Sequence, residues 1–466
     1  MNRFLPSHHA PATRPRGFIL VAVLVLVLLI SMVAASLLFR LRAADAASGA
    51  STGSEQAWAV AMSGVQEAMR QARLPVATLP PWYENPRVFR DRFVYEDGSD
   101  RWYFTVYSPP DPDSLSEVRY GLTDEAGKLN INAAHTVNLE KLPSMTTPLI
   151  EALRDFVDPD PDPRAEGAEQ EYYDSLALPY TVRNGPLSSV EELLLVRGFT
   201  PSLVYGEDLN MNFRLDPNED DGDQTPPRDN NDGHLELGLR RHLTVSSYEF
   251  NEDSGGVPRT DVNNPASPLP SAPLPPALTN YIAALRAQKL HLGHVADLLE
   301  ATLKVKDDRG HETELASGVG KAELPAVLDH LTTLRDHRVE GLVNVNTASV
   351  QVLATVPDID LPLAEAIVSA RKGVTPERRA TIAWLYQDDV VDAARFKRIA
   401  PFLTARGLQY SFHVVGYGVP SGRFRALDVV IDLAPEKPTV SYLRDITRLG
   451  PPFRFQESAS KEAAGG

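Results

Sequence analysis

Oxygen-bearing side chains recur in the middle of the sequence at a spacing that is typical of calcium ligands. An EF-hand loop supplies ligands from its first, third, fifth, ninth and twelfth positions and has glycine at the sixth, where the chain turns sharply. Residues with suitable oxygens occupy the five ligand positions: Asp208, Asn210, Asn212, Asp216 and Glu219. Phe213 stands where the glycine is expected, so the match to this loop is incomplete.

A second acidic group lies upstream and offers a further candidate site for a hard cation. Its members are Asp155, Asp158, Asp160 and Glu169. Carboxylates are ligands that calcium prefers, whereas an acidic run without a bound ion is usually a solvated loop. The sequence leaves both interpretations open: calcium in at least one of the two groups, or solvated acidic loops. A bound calcium ion would order its loop, because no nucleophile or general base lies nearby.

The residue patterns of common catalytic sites are missing from the sequence. There is no cysteine, which excludes thiolate zinc sites and cysteine nucleophiles. His311 and Glu312 lack the second histidine of a zinc-binding helix, and Gly318, Gly320 and Lys321 lack the spacing of a phosphate-binding loop. No Gly-x-Ser-x-Gly motif is present either. The sequence therefore predicts a protein that is not an enzyme.

The elements around the acidic groups contain a repeat. The sequence LNINAA at 129–134 recurs as VNVNTA at 343–348, and RTDVNNP at 259–265 is a more divergent third copy. The first two copies are each followed by a short helix, a turn that begins with proline and a second helix. Asparagine at these positions is suited to hold turns and helix ends by hydrogen bonds to the backbone.

The repeat resembles the helix-hairpin-helix of DNA-binding proteins, which makes DNA binding an alternative function. That motif needs a Gly-x-Gly turn to bring backbone amides to a phosphate, but the turns at 143–147 and 357–361 have no glycine. Asp358 and Asp360 in the second turn would repel a phosphate. The chain has 46 Lys and Arg against 62 Asp and Glu, a net charge of −16, which also disfavours phosphate-backbone binding. We predict no nucleic-acid partner.

The N-terminal segment predicts a membrane anchor. Residues 1–17 carry three arginines and no acid, and an uncharged apolar run extends from Phe18 to Phe39. Such a run is long enough to cross a bilayer as a helix. The basic side is expected to stay in the cytoplasm, which predicts a single-pass protein of the inner membrane with a periplasmic head. A secretory signal peptide cleaved near residues 34–36 is the alternative.

The end of the basic leader, Arg16-Gly17-Phe18, resembles a type IV prepilin signal. This resemblance implies cleavage by a prepilin peptidase between Gly17 and Phe18, with Phe18 as the first mature residue, and methylation. Most pilins and pseudopilins have glutamate at the fifth mature position, whereas this chain has Ala22. Apolar residues at helical spacing from Trp58 to Ala72 predict that the helix continues beyond the membrane.

The remaining pattern places strands on both sides of a long helical region. Aromatic and β-branched runs predict strands at 93–95, 102–107, 118–122, 410–417, 426–433 and 439–443. We predict an α+β, pilin-like fold, in which a long N-terminal transmembrane helix packs on an antiparallel sheet and a large, mainly α-helical domain with helix-hairpin-helix-like repeats is inserted. The predicted segments are a leader at 1–17, a transmembrane helix at 18–40, a pilin-like first part at 41–128, the insertion at 129–408, pilin-like strands at 409–451 and a disordered tail at 452–466.

Several blocks together resemble the type II secretion system minor pseudopilin K family, also called general secretion pathway protein K. These blocks are DFVDPDPDPRAEGAEQEYY at 155–173, NGPLSSVEELLLVRG at 184–198, the VNVNTAS block and RIAPFL at 398–403. The missing glutamate at position 22 is itself a mark of the K subunit. Members of this family bind calcium in the helical insertion, so the resemblance implies a calcium site here.

The resemblance also implies a function and partners. The family acts at the tip of the type II secretion pseudopilus and initiates or regulates its assembly, for protein export across the outer membrane. Its implied partners are the other minor pseudopilins of the I and J types, the major pseudopilin, the prepilin peptidase and the inner-membrane assembly platform. A minor pilin of a type IV pilus is the first alternative, although such pilins usually keep the glutamate and lack the insertion. A helix-hairpin-helix DNA-uptake protein is the second.

Overall fold

One long helix dominates the N-terminal part of the structure. The computed structural model describes residues 18–74, 81–111, 118–269, 273–306 and 311–455. Helix α1 spans Phe18–Ala72, and its segment Leu20–Ala44 has a mean hydropathy of 3.0 and the length needed to cross a membrane. The chain divides into the units Met1–Gln56 and Ala57–Gly466, and α1 contributes residues to both. The predicted apolar N-terminal helix is confirmed.

The second unit combines short helices with many strands. The helices after α1 are α2 Pro86–Phe89, α3 Thr136–Leu139, α4 Thr147–Val157, α5 Gln170–Asp174, α6 Pro201–Tyr205, α7 Pro276–Ala287, α8 Leu324–His330, α9 Val350–Thr355, α10 Leu361–Ala370, α11 Trp384–Gln387 and α12 Ala393–Ile399. The strands are β1 Arg92–Glu96, β2 Arg101–Tyr107, β3 Thr123–Asp124, β4 Leu129–Asn130, β5 Leu243–Thr244, β6 Tyr248–Phe250, β7 Thr260–Asp261, β8 Thr302–Lys306, β9 Glu312–Ala316, β10 Leu331–Thr332, β11 Arg338–Glu340, β12 Val343–Asn344, β13 Leu403–Thr404, β14 Gln409–Val419, β15 Phe424–Asp432 and β16 Thr439–Asp445.

The largest sheet is antiparallel and is built from both ends of the second unit. Its strand order is β1-β2-β14-β15-β16, and β3 pairs with the start of β14. In the centre of the sheet, Val414 of β14 lies between Val106 of β2 and Leu427 of β15. The strands before and after the long insertion therefore share one sheet, as predicted, and the α+β fold class is confirmed.

The C-terminal turns of α1 pack closely on one face of this sheet. A side chain at Gly416 of β14 would place its Cβ 2.2 Å from the carbonyl oxygen of Ala57 and 2.5 Å from the backbone nitrogen of Ala61. On the helix, a Cβ at Gly64 would lie 2.7 Å from the side chain of Val414. Contacts this short are not possible between real atoms, so the two glycines allow the helix to approach the sheet.

One predicted strand was wrong. Residues 118–122 form no strand and contribute only a single bridge between Ser108 and Arg119. The guanidinium of Arg119 instead binds the carbonyl oxygens of Tyr83 and Leu122. These bonds curl the chain around the arginine. Pairing with β14, which β2 makes up to Tyr107, resumes only at β3.

The C-terminal tail is ordered further than predicted. Phe453 and Phe455 fall in the segment predicted as disordered from residue 452, but both pack in an aromatic cluster on the sheet. The ring of Phe455 stacks on Tyr417 of β14 with centroids 4.5 Å apart. Residues 456–466 of the predicted tail lie outside the described residues.

Between β3 and β14 the chain forms three modules of similar construction. In each module a strand of two residues at the start pairs in parallel with a strand of two residues at the end, and helices lie between them. The pairs are β4 with β5, β7 with β10, and β12 with β13. The first strands of these pairs are the three predicted copies of the repeat, so the more divergent copy is a genuine member. The domain boundaries predicted around this region stay predictions.

Asparagine side chains play the same part in all three modules. Asn132, Asn263 and Asn346 donate from Nδ2 to the carbonyl oxygens of Leu187, Leu292 and Arg379, each at 3.0 Å. Leu187 and Leu292 lie in loops that lead into short 3-10 turns, and Arg379 lies within such a turn. The side chain two residues before each asparagine also accepts a hydrogen bond from that asparagine's backbone nitrogen. The repeat therefore fixes loop backbone inside the modules.

Candidate functional site

Three carboxylates of the upstream acidic group meet in the first module. One oxygen from each of Asp158, Asp160 and Glu169 can be chosen so that all lie within 4.8 Å of one another. Glu169 is buried, Asp158 is half-buried and Asp160 is exposed. The structure thus brings together three of the four residues predicted in this group.

The local sequence explains why these carboxylates converge. Asp158 directly follows α4, and the segment 158–163 alternates aspartate with proline. A residue before proline is restricted to extended conformations, and side chains two residues apart on an extended chain share a face. Asp158 and Asp160 are therefore directed to one side. Glu169 lies at the N-cap position of α5 and closes the loop.

Asp155, the fourth predicted ligand, has a different partner. Its fully buried carboxylate accepts hydrogen bonds from the backbone nitrogen of Arg164 at 3.1 Å and from the guanidinium of Arg164 at 2.5 Å. A Cβ at Gly167 would lie 1.8 Å from Asp155 Oδ2, so only glycine fits beside this ion pair. Arg164 also reaches Asp158 at 2.7 Å, which links the ion pair to the triad.

Two oxygens of the triad have no donor among the described residues. Asp158 Oδ1 and Glu169 Oε1 are buried and accept no hydrogen bond. Burial and the neighbouring carboxylates raise the pKa of Glu169. Buried polar atoms without a partner are costly, and a hard cation would satisfy both oxygens at once. The three carboxylates fit calcium, which takes oxygen ligands in flexible geometry.

The downstream group forms a loop whose oxygens are mostly occupied by its own donors. Asp216 Oδ2 accepts from Asn210 Nδ2 at 2.8 Å and from Asn212 Nδ2 at 2.7 Å. Asp208 Oδ1 accepts from the backbone nitrogen of Asn212 at 2.9 Å, and Glu219 Oε2 accepts from that of Asp216 at 3.1 Å. Burial raises the pKa of Asp208 to about 6 and that of Glu219 to about 7. The five predicted residues therefore lie in one hydrogen-bonded loop.

Phe213, the departure from the calcium-loop pattern, has a structural explanation. Its φ of 61° lies in the left-handed region that a glycine at this position would adopt. Its ring stacks on the buried His413 of β14 with centroids 4.4 Å apart. The loop thus keeps the sharp turn and uses the side chain at the turn to attach itself to the sheet.

The predicted processing site is only partly described. Gly17 lies outside the described residues, and Phe18 is the first residue of α1. Ala22 lies in the first turns of the same helix with its side chain exposed. The cleavage between Gly17 and Phe18 stays a prediction.

Sequence reasoning missed the residues at the other end of each module. Thr244, Thr332 and Thr404 each follow a leucine and end the module's second strand. The hydroxyl of each accepts a hydrogen bond from the backbone nitrogen two residues further on, at 3.0, 3.0 and 3.1 Å. The sequence signal that could have revealed these residues is the dipeptide Leu-Thr, which occurs at all three places. It was missed because a different number of residues separates it from each copy of the repeat.

An N-terminal apolar helix whose later turns pack on an antiparallel sheet defines a pilin-like α+β fold. Residues 127–205, which contain the carboxylate triad, match the family described as "Type II secretion system (T2SS), protein K". The predicted resemblance to protein K of the type II secretion system is thereby confirmed over residues 127–205.

The chain was also compared with solved structures and with curated proteins. The chain is similar to a chain in the crystal structure of the GspK-GspI-GspJ complex from the enterotoxigenic Escherichia coli type 2 secretion system. The two share 12% sequence identity with a TM-score of 0.37, over 87% of this chain and 99% of that chain. No curated protein matches the sequence.

Proposed function

We propose that this protein is the minor pseudopilin at the tip of a type II secretion pseudopilus and that it initiates or regulates assembly of the filament. The observation that carries the proposal is Ala22, an uncharged residue at the fifth position after Gly17 in the apolar helix. The protein K match over residues 127–205 supports the choice of system.

The argument from Ala22 rests on the cost of charge in a membrane. A glutamate in the apolar core of a filament needs a positive partner on a neighbouring subunit, because an unpaired charge in hydrocarbon is unfavourable. A subunit with alanine at that position makes no such demand. It can occupy an end of the filament, where one of the two neighbours is missing.

The position of the modules supports the same placement. All three lie between β3 and β14, on a head whose sheet is already complete without them. Such a bulky addition would obstruct another head stacked above it. The proposed partners are the I- and J-type minor pseudopilins, with the major pseudopilin, the prepilin peptidase and the inner-membrane assembly platform. The proposed location is the inner membrane, with the N-terminus in the cytoplasm and the head in the periplasm.

Immunogold labelling of pseudopili tests the tip position. With the wild-type protein, each filament should carry gold label at one end only. The protein should also co-purify with the I and J subunits. Ala22→Glu should remain at the ends, because the insertion still obstructs stacking, and Ala22→Gln serves as the uncharged control of similar size. Labels repeated along the shaft by the wild-type protein would contradict the proposal.

We further propose that Asp158, Asp160 and Glu169 hold a calcium ion that orders the loop between α4 and α5. The two unpartnered carboxylate oxygens support this assignment. Calcium would supply charge neutralisation and structural order, and no chemical step involves it. The downstream loop is the second proposed site, although its oxygens already have internal donors.

Thermal unfolding of the full chain in detergent, with calcium or with a chelator, tests the first site. At about a hundredfold excess over its dissociation constant, calcium should stabilise the fold by about 2.7 kcal/mol. Asp160→Asn should remove most of this gain, whereas Asp162→Asn, a matched change at an exposed neighbour, should preserve it. An unchanged calcium response in Asp160→Asn would assign the ion elsewhere, and Asp216→Asn then tests the downstream loop.

A further inference from the structure

A cleft in the second unit collects arginines although the protein as a whole is acidic. The cavity has a volume of about 950 Å³ and extends between the large sheet and the first and third modules. Five arginines are part of its lining. Arg240 is paired with Asp428 and Glu191, and the other four are Arg119, Arg241, Arg371 and Arg379. They come from positions that are far apart in the sequence, so the fold has assembled them.

These arginines are held by backbone oxygens and not by carboxylates. Arg241 donates to the carbonyl of Pro110 at 3.0 Å, and Arg371 donates to that of Ala348 at 2.6 Å. Arg379 donates to the carbonyl of Arg371. Among the described residues, none of the four arginines forms an ion pair with an aspartate or glutamate. The guanidiniums are therefore positioned but not neutralised.

The environment of Arg119 shows the imbalance most clearly. Arg119 is only 6% exposed, and its buried Nε has no hydrogen-bond partner. The guanidinium lies over the ring of Tyr83 at 4.2 Å, and Tyr83 donates its hydroxyl hydrogen to Asp111. Burial lowers the pKa of Arg119, Arg241 and Arg371. The carboxylate of Asp111 acts on the pKa of all three in the opposite direction, and that of Glu84 does so for Arg119.

Most acidic groups of the lining already have other partners. Asp124 and Asp208 accept hydrogen bonds from neutral donors, and three further carboxylates face cations other than the four arginines. Glu125 accepts from Lys128 at 2.6 Å. Asp428 accepts from Arg240 at 2.7 Å, and Glu191 lies 3.6 Å from the same guanidinium. Glu365 is exposed to solvent. Arg379 Nε is a second buried donor without a partner. Around Arg119, Arg241, Arg371 and Arg379 the cleft therefore presents positive charge without an ion-pair partner among the described residues, together with two unsatisfied N–H groups.

We propose that this cleft binds a small divalent oxyanion of the phosphate or sulfate class between Arg119, Arg241 and Arg371. Arg379 lies close to Arg371, so four guanidiniums face the two carboxylates of Asp111 and Glu84. This leaves an excess of two positive charges, which a divalent anion balances and a monovalent carboxylate does not. Guanidinium groups match the geometry of such oxyanions, and hydrogen bonds between the two are charge-assisted. The bound anion would join the sheet, the first module and the third module at one point.

Isothermal titration of the full chain in detergent with inorganic phosphate tests this site, at constant ionic strength and without calcium. The wild-type protein should bind one phosphate saturably, and sulfate should compete. Arg241→Gln should weaken binding at least about tenfold, the loss expected for one charge-assisted hydrogen bond. Arg228→Gln is the matched control because that side chain is 88% exposed and lies outside the cleft, and it should bind phosphate normally.

Comparing the cleft variants with Arg228→Gln distinguishes a specific phosphate site from nonspecific attraction to positive charge. Arg379→Gln gives a second variant with the same expectation, and a cooperative unfolding transition must be shown for each variant used. Absence of saturable binding by the wild-type protein would overturn the proposal, as would equal binding by Arg228→Gln and both cleft variants. Acetate that binds as tightly as phosphate would overturn the divalent class.

Discussion

Asp124 is the residue at which the sheet and the third module are joined, and its removal should weaken that joint. It belongs to β3 and is only 4% exposed. Its Oδ2 accepts hydrogen bonds from Asn344 Nδ2 and Thr347 Oγ1, both at 2.7 Å, and its Oδ1 accepts from the backbone nitrogen of Ala126 at 3.0 Å. Asp124→Ala would leave all three donors without their acceptor.

The expected loss follows from how well water can replace the carboxylate. Thr347 is half-buried and can reach solvent, whereas Asn344 and Ala126 are buried. Each of the two buried donors that loses its partner costs about 1–3 kcal/mol, so Asp124→Ala should lower the free energy of unfolding by about 2–6 kcal/mol. Asp162→Ala removes an exposed aspartate and should change it by less than about 0.5 kcal/mol.

Urea unfolding of the full chain in detergent measures these changes. A double-mutant cycle with Asn344→Ala should give a coupling energy of about 0.5–3 kcal/mol, because the two side chains are in direct contact. Additive effects of Asp124→Ala and Asn344→Ala, or a loss below about 0.5 kcal/mol, would refute the proposed joint.

The same residue predicts a pH dependence. Burial raises the pKa of Asp124 from 3.8 to about 6, so the folded protein holds this proton more tightly than the unfolded chain does. Stability should therefore fall as the pH rises from about 4 to about 6, by up to about 3 kcal/mol. Asp124→Asn should remove this part of the pH profile. An identical profile in the wild-type protein and in Asp124→Asn would contradict the assignment.

Three further predictions concern packing, processing and nucleic acid. Gly416→Ala should lower the free energy of unfolding by about 1–3 kcal/mol, because its Cβ would meet helix backbone; Gly373→Ala, with no atom within 4 Å of the new Cβ, is the control, and equal unfolding midpoints would contradict the close packing. N-terminal sequencing of the membrane-extracted protein should find Phe18 first, and Gly17→Leu should retain the leader; a start near residue 37 would indicate an ordinary signal peptide. The full chain in detergent should not retard duplex DNA at physiological salt, and a clear shift would favour the DNA-uptake alternative.

The parts of the fold that the sequence predicted are those set by short-range chemistry. The long strands of the large sheet were visible because aromatic and β-branched residues are concentrated in runs of a few positions. The repeat was visible for a similar reason, since Asn132 and Asn346 act on backbone through hydrogen bonds that require a particular side chain at a particular place. The carboxylate triad also lies within a short segment.

The parts that the sequence did not predict depend on contacts between distant segments. Arg119, Arg241 and Arg371 are unremarkable in the sequence and acquire a common environment only when the sheet and the modules meet. The segment at 118–122 has good strand composition, but the buried guanidinium of Arg119 takes up nearby carbonyl groups and bends the chain away from a ladder. Phe213 could not be understood before its partner His413 was known.

The modules also show in physical terms why a likeness to helix-hairpin-helix units need not bring DNA binding with it. Both hairpin turns contain a residue with left-handed φ, Ser144 at 63° and Asp358 at 61°, so the turns keep a conformation that glycine would favour. Asp358 pairs with Arg398 at 3.2 Å, and Asp360 accepts from the backbone nitrogen of Leu363 at 3.0 Å. A phosphate at this turn would meet two carboxylates, of which Asp358 already binds a guanidinium and Asp360 already accepts from a backbone amide. The hairpin geometry is thus retained while the groups that would hold a phosphate are used inside the module, which makes the module a building block of the head.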